Sequence, residues 1–300
     1  MSFFATRFWG EYLQKIKDIN LIQMGEIQLV KNQNELGRSF SNYLELDLYH
    51  LNKKNIMRLS EFAQFNDIDA IHFRVSPAVS SGLIPFKDLL RNGWTFYCGT
   101  TFLLDLKEEL AILKKNIRKS NKALINKFDR MYEVQIVDCN NSSKILFKKW
   151  ANLYGSCLSG VDEDRYEKIF KYQYNMIVNK KAILVMGFEK EICLGGMFFF
   201  LDSEYTSYAL SANNKNYDNI GCYLMWRSIK YLKKTGFTYL ELGGLSYNNQ
   251  IFCEFELKNS NITFFKEGVG AQMTPTFFFS KFFKDKAKEK YLSQIRQHFL

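Results

Sequence analysis

From Val134 onward the chain follows a fixed order of elements, and that order restricts the available folds more than any other feature. A strand is predicted over Val134–Val137, helices over about 142–154 and 162–177, and strands over Ala182–Phe188, Ile192–Leu201 and Glu204–Ser211. The turn Glu189-Lys190-Glu191 divides the first two of those three strands. A helix follows over Gly221–Lys234, a strand over Thr238–Leu242, and after a loop a last strand over Ile262–Lys266. Short apolar runs bounded by turn residues read as buried strands, and longer amphipathic stretches as helices. The fold class is therefore α/β, built on a mixed sheet of the α+β kind. Inside Ile192–Leu201, Gly195-Gly196 marks either a bulge where the sheet splays or a tight core contact.

The first part of the chain is less regular. Phe3, Phe4, Phe8, Trp9, Tyr12, Leu13 and Ile16 recur at helical spacing, as in a docking helix. Glu26–Val30, Tyr43–Tyr49, Asp69–Val75 and Thr101–Leu106 read as strands, the last stopped by Asp105. A long helical pattern follows, with Leu106, Leu110, Leu113, Ile117, Leu124 and Phe128 on one face. Lys114, Arg118 and Lys122 fall on one i,i+4 row, where their charges repel unless an anion lies along them. A solvated helix face accounts for the same run. The tail from Thr276 to Leu300 is predicted to be helical, with Phe279, Phe282, Phe283, Tyr291, Ile295 and Phe299 near one face. Lys281, Lys284, Lys286, Lys288 and Lys290 surround that face, which suits a membrane interface or packing onto the first part of the chain.

Composition narrows the partners. Lysine and arginine outnumber aspartate and glutamate 41 to 31, a net charge of +10, so a polyanion is a fitting partner: tRNA, a nucleotide-linked or lipid-linked precursor, CoA or an anionic membrane. A hydrophobic share of 47% excludes a disordered chain. The cysteines form no C-x-x-C pair and only His50, His72 and His298 are histidines, which points to a reducing compartment and to no metal site. The start lacks the basic-then-apolar order of a signal peptide, and no apolar run approaches about 18 residues. The expected location is the cytoplasm, at most on the inner face of the membrane.

Two stretches carry the candidate chemistry. Tyr239-Leu240-Glu241-Leu242-Gly243-Gly244 runs into a glycine pair, and Thr263-Phe264-Phe265-Lys266-Glu267-Gly268-Val269-Gly270 reads as an aromatic strand ending on a lysine. Glycines let a ligand approach the backbone, and a packed lysine stem holds its ammonium outward. A hairpin with glycine turns and a snorkelling lysine fits the same residues.

The element order from Val134 resembles the GNAT acyltransferase fold. Members of that fold grip the CoA pyrophosphate with an R/Q-x-x-G-x-G/A loop at the start of the central helix. Here the run is Asp218-Asn219-Ile220-Gly221-Cys222-Tyr223, and Gly221 alone fits. The order suggests acyl transfer; the loop argues against a standard CoA grip.

A closer resemblance is to the Fem-type (FemABX) aminoacyltransferases and their GNAT-like relatives. It rests on Arg74-x-x-Pro77, on Thr101–Leu106 followed by Asn116-x-Arg118, on Tyr208-Ala209-Leu210-Ser211, on the run from Tyr217 to Trp226, on Glu241-Leu242-Gly243-Gly244, and on Phe265-Lys266 with Gly268 and Gly270. It covers about residues 70–270. The resemblance implies tandem GNAT-like domains: residues 1–133 with 268–300 packing back onto them, and residues 134–267. It further implies metal-free transfer of an aminoacyl group from charged tRNA to an amine of a peptidoglycan or other cell-envelope precursor, with no permanently bound cofactor. Two departures stand out: a long helical hairpin of some members is lacking, and Glu241 stands where aspartate is frequent.

Amide formation passes through a tetrahedral oxyanion, for which Lys266 is the candidate cation. Asp105, matched to the family, and Glu241 are candidate proton acceptors, and Asp105 as a plain helix N-cap fits equally. Arg74, Lys114 and Arg118 are candidate phosphate anchors; Tyr208, Tyr217, Gly243, Gly244 and Phe265 are candidate cleft residues. The competing readings are a GNAT-like N-acyltransferase using acyl-CoA or acyl carrier protein on an amino sugar or other small amine, and a non-catalytic RNA- or membrane-surface-binding protein.

Overall fold

The computed structural model describes residues 20–24, 27–32, 43–47, 53–75, 86–157, 163–202, 205–217, 219–244 and 257–289. In chain order these form β1 (Asn20–Met24), β2 (Ile27–Asn32), β3 (Tyr43–Asp47), α1 (Lys53–Phe65), β4 (Ala70–Val75), α2 (Phe86–Arg91) and β5 (Thr95–Asp105). There follow α3 (Leu110–Asn116), α4 (Lys119–Phe128), β6 (Glu133–Val137), α5 (Lys144–Gly155), α6 (Glu163–Val178), β7 (Ala182–Glu189), β8 (Ile192–Leu201) and β9 (Tyr205–Asn213). The last four are α7 (Ile220–Lys234), β10 (Tyr239–Gly244), α8 (Leu257–Gly268) and β11 (Gln272–Phe282). The docking helix expected over 3–16, Pro77, and the tail residues from Lys290 onward lie outside the described residues.

The residues cluster into two compact units, one drawn from Met1–Thr101, Ser246–Ser260 and Thr274–Leu300, the other from Phe102–Leu245 and Asn261–Met273. In the first, strand order runs β1-β2-β3-β4-β11-β5. β3 and β4 are parallel, while β11 pairs antiparallel with β4 from Phe277 opposite Val75 to Phe282 opposite Ala70. Ile56, Leu59 and Ala63, spaced i, i+3 and i+7 along α1, bury one helix face among Ile68, Ile71, Leu89, Trp94 and Phe279.

In the second unit the order is β5-β10-β9-β8-β7-β6. The chain α7 is apolar nearly all round and lies on this sheet, packed on Ile183, Val185, Leu194, Met197, Phe199, Leu240 and Leu242, with Leu113, Ile117, Ile125 and Phe128 of the α3–α4 region in the same core. On β8, Gly196 faces Trp150 of α5: a Cβ there would lie 2.7 Å from Trp150 Cε3. Next to it the β7–β8 register shifts between Gly187 and Phe188, leaving Leu194 as the extra residue. Both readings of the glycine pair therefore apply, the close contact at Gly196 and the bulge at Leu194.

Three sequence expectations are corrected. The last strand, over Ile262–Lys266, is a helix: α8 buries Thr263 and Lys266, with Val269 buried just past its end, and leaves Ile262 and Phe264 outside, so packing overrides the strand preference of Thr-Phe-Phe. The long basic helix is two helices, because Ile117 (ψ 140°) and Arg118 (ψ 140°) are extended between α3 and α4. Lys114, Arg118 and Lys122 do not share one helical row. The tail from Thr276 begins as strand β11 instead of helix, with its pairing to β4 starting beyond Pro275, which lacks the N–H a central strand needs.

Candidate functional site

The opening between β9 and β10 begins where their pairing ends. These parallel strands pair Tyr239 with Tyr205, Leu240 with Thr206 and Glu241 with Ser207; pairing stops there although β9 runs on to Asn213 and β10 to Gly244. On the other edge of β9, Phe198 faces Leu210 and Phe199 faces Tyr208, so Ala209 is an extra residue. A bulge of this kind bends its strand and increases local twist, carrying the end of β9 away from β10.

Helix α8 touches both diverging strands. The Phe265 ring lies 6.5 Å from that of Tyr208 on β9, and Lys266 Nζ donates to the Gly244 carbonyl at the end of β10 at 2.7 Å. Lys266 is 6% exposed, its stem held in the packed face of α8. Gly243 has φ +82°, and a Cβ there would sit at an ordinary contact distance, 3.5 Å, from Lys266 Nζ. Its glycine is thus required by backbone conformation more than by space. Behind Lys266, Arg118 N–H and Asn121 Nδ2 donate to the Gly268 carbonyl at 3.0 and 2.9 Å, and the Arg118 guanidinium stacks 3.6 Å from the Phe264 ring centroid. Arg118 therefore secures the C-terminus of α8, and its place in the extended link between α3 and α4 is what lets it reach there.

Glu241 is buried, and the Tyr205 hydroxyl donates to its Oε2. The paired Ser207 is also buried, with no hydrogen-bond partner for its hydroxyl among the described residues. Tyr208 donates to Ser211 Oγ at 2.5 Å, and burial pushes its phenol pKa up. Tyr217 donates to Glu189 Oε2 at 3.1 Å, which raises its pKa in turn.

The first turn of α7 is closed off by protein. Ile220, Gly221, Cys222 and Tyr223 are all buried, and a Cβ at Gly221 would meet Phe265, Met197 and Asn213 atoms at 3.5, 3.6 and 3.8 Å. Amides at a helix start bind phosphate when they are free to face it. Here α8 places an aromatic ring against that turn.

Of the residues singled out on sequence, Lys266, Phe265, Gly243, Gly244 and Tyr208 come together, with Glu241 just upstream on β10. Asp105 does not join them. Leu106 N–H donates to the Thr238 carbonyl at 2.8 Å, which puts Asp105 beside the start of β10, roughly 17 Å along the strand from Gly244. Its carboxylate is turned into its own loop, accepting from Lys107 N–H at 2.9 Å, and Glu109 is the residue at the N-cap of α3. Lys114 donates to Asn126 Oδ1 at 2.9 Å on the α3–α4 surface. Arg74 lies on β4 in the first unit, paired with Asp47 and Phe278. Sequence reasoning missed Tyr205 and Ser207; their spacing of two, placing both on one face of a strand, was the available signal. Among the described residues no group of three or more His, Cys, Asp or Glu side chains could hold a metal ion, and no helix is long and apolar enough to cross a membrane.

This arrangement is a mixed α/β fold shared with FemX and L-PGS. FemX superposes with a TM-score of 0.68 at 13% identity, over 96% of this chain and 94% of that one. L-PGS from Bacillus licheniformis gives 0.63 at 12% identity over 94% and 90%. The C-terminal domain of a proposed lysylphosphatidylglycerol synthetase from Agrobacterium fabrum gives 0.64 at 12% identity over 93% and 89%. No family model and no curated protein sequence matches this chain. The likeness is one of fold.

Proposed function

We propose that this chain is an amide-forming acyltransferase that takes an aminoacyl group from charged tRNA and passes it to an amine of a peptidoglycan or other cell-envelope precursor. The observation that carries this reading is the placing of α8 across the β9–β10 opening: Lys266 stands at its end on Gly244, while Phe265 covers the helix start where a CoA pyrophosphate would bind. An opening between two strands with a buried cation beside it suits an acyl ester; a covered α7 start disfavours a CoA thioester.

In this mechanism the acceptor amine attacks the ester carbonyl directly. The C–N bond forms, negative charge gathers on the carbonyl oxygen, and the Lys266 ammonium stabilises it there. Collapse breaks the ester C–O bond and releases the ribose hydroxyl, which receives the proton lost by the amine. Glu241 on β10 is the carboxylate assigned to carry that proton, in preference to Asp105, which lies by the opposite end of the strand. Such a donor places the reaction in the cytoplasm, and a lipid-linked acceptor would bring it to the inner face of the membrane.

The test is to incubate the full-length protein with charged tRNA, acyl-CoA and an envelope-precursor mixture, following ester and thioester loss in the same tube. Precursor-dependent ester loss with intact thioester supports the reading. Thioester loss alone overturns the donor and moves the chain to N-acyl transfer from CoA; loss of neither overturns the proposed reaction.

A further inference from the structure

The α3, α4 and α7 surface of the second unit carries a group of cations that the proposed transfer step does not use. Lys114 of α3 and Lys230 of α7 each place their ammonium 5.9 Å from the centroid of the same indole, Trp226. Lys114 also holds Asn126 of α4 at 2.9 Å, and Lys122 of α4 donates to the Lys115 carbonyl at 2.8 Å, tying the two helices together. Arg227, one residue beyond the indole, is bonded to Asp129 at 2.9 Å. Asp129 is the one carboxylate in this set of contacts, and Arg227 already engages it.

Like charges brought this close on separate helices repel, and the repulsion is relieved when an anion lies between them. Partial burial, then the neighbouring Arg227, lowers the pKa of Lys230; Asp129 opposes that shift and Lys114 adds to it. The indole below supplies a flat, electron-rich floor. Amide and guanidinium donors beside the ammoniums suit the several oxygens of a phosphodiester.

We infer that this surface, centred on Lys114, Lys230 and Trp226, binds the phosphodiester backbone of an RNA. The inference rests on the proposed charged-RNA donor and gives that donor a second point of attachment, apart from Lys266. Leu110 and Ile112 are partly exposed on α3, so an anionic lipid surface is the rival occupant. The RNA assignment is favoured because Trp226, the aromatic that would anchor at a membrane interface, is covered beneath the cations at 5% exposure.

The experiment measures binding of a fluorescein-labelled RNA hairpin ending in CCA, by anisotropy, across a salt series. It compares the full-length protein with Lys114→Gln/Lys230→Gln and with Lys148→Gln, an exposed lysine of α5, and circular dichroism establishes that each variant is folded. The double variant should bind at least ~10-fold more weakly, with the slope of log Kd against log salt smaller by roughly two. Lys148→Gln should bind within about twofold of the parent, since it lies outside the patch. Unchanged RNA affinity and slope in the folded double variant overturns the inference. So does patch-dependent binding to vesicles of phosphatidylglycerol and phosphatidylcholine without patch-dependent binding to RNA. The single variant Lys230→Gln, which removes no hydrogen bond, replaces the double variant should the latter unfold. Patch-dependent RNA binding without ester loss would overturn the transfer reaction and leave this surface standing; ester loss indifferent to the patch would do the reverse.

Discussion

Lys266 Nζ donates to the carbonyl of Gly244 at 2.7 Å, joining helix α8 to the free end of β10 where that strand has parted from β9. A buried ammonium needs acceptors, and the Gly244 carbonyl is one of them. The contact holds the cation at the sheet opening.

The close approach of α5 to β8 gives a test of the fold. Adding a methyl at Gly196 would bring it to 2.7 Å from Trp150, whose indole N–H is itself held by Gln173 Oε1 at 3.2 Å. Because the indole cannot shift without losing that bond, Gly196→Ala should destabilise the protein by about 1–3 kcal/mol. Urea unfolding measures it, and an unchanged midpoint would contradict this packing.

The Tyr205 hydroxyl that donates to Glu241 gives a second. Tyr205→Phe removes a donor from a buried carboxylate, which should cost about 1–3 kcal/mol of stability. On the proposed mechanism it should also slow ester loss, because Glu241 loses the hydroxyl that orients its carboxylate. A rate of ester loss unmoved by the substitution in a folded protein would remove Glu241 from the proton transfer.

Burial raises the Cys222 thiol to about 11 from its ordinary 9.0. Between those values the unfolded chain has lost this proton and the folded one retains it, so this group lowers stability as pH rises through that window and has no effect below it. Cys222 should therefore resist a maleimide reagent at pH 8 while the exposed Cys98 and Cys157 react. Mass spectrometry of the peptides reads this directly, and equal labelling of all three would contradict the packing of α7.

Much of the second unit could be read from residue order. The apolar runs of β7 and β8 and the all-apolar face of α7 are dictated by burial on both sides, and their limits fall within a few residues of expectation. The site was harder to read because its parts depend on long-range contacts. Thr263-Phe264-Phe265 has the composition of a strand; it is helical because Thr263, Lys266 and Val269 face the core together and Arg118 stacks on Phe264. The break at Ile117–Arg118 carries no proline or glycine, and what stabilises it is the Gly268 carbonyl, distant in sequence. Likewise nothing local to Glu241 announces Tyr205 as its partner; the β9–β10 register does that.

The most direct test of the account is the rate of ester loss from charged RNA, measured in single turnover with Lys266→Ala and Lys266→Arg against the parent protein. If Lys266 stabilises the oxyanion at the β9–β10 opening, the alanine variant should be slower by about 10²–10³-fold, with RNA affinity unchanged and part of the rate restored by arginine. A folded Lys266→Ala protein that transfers at the parental rate would contradict the account.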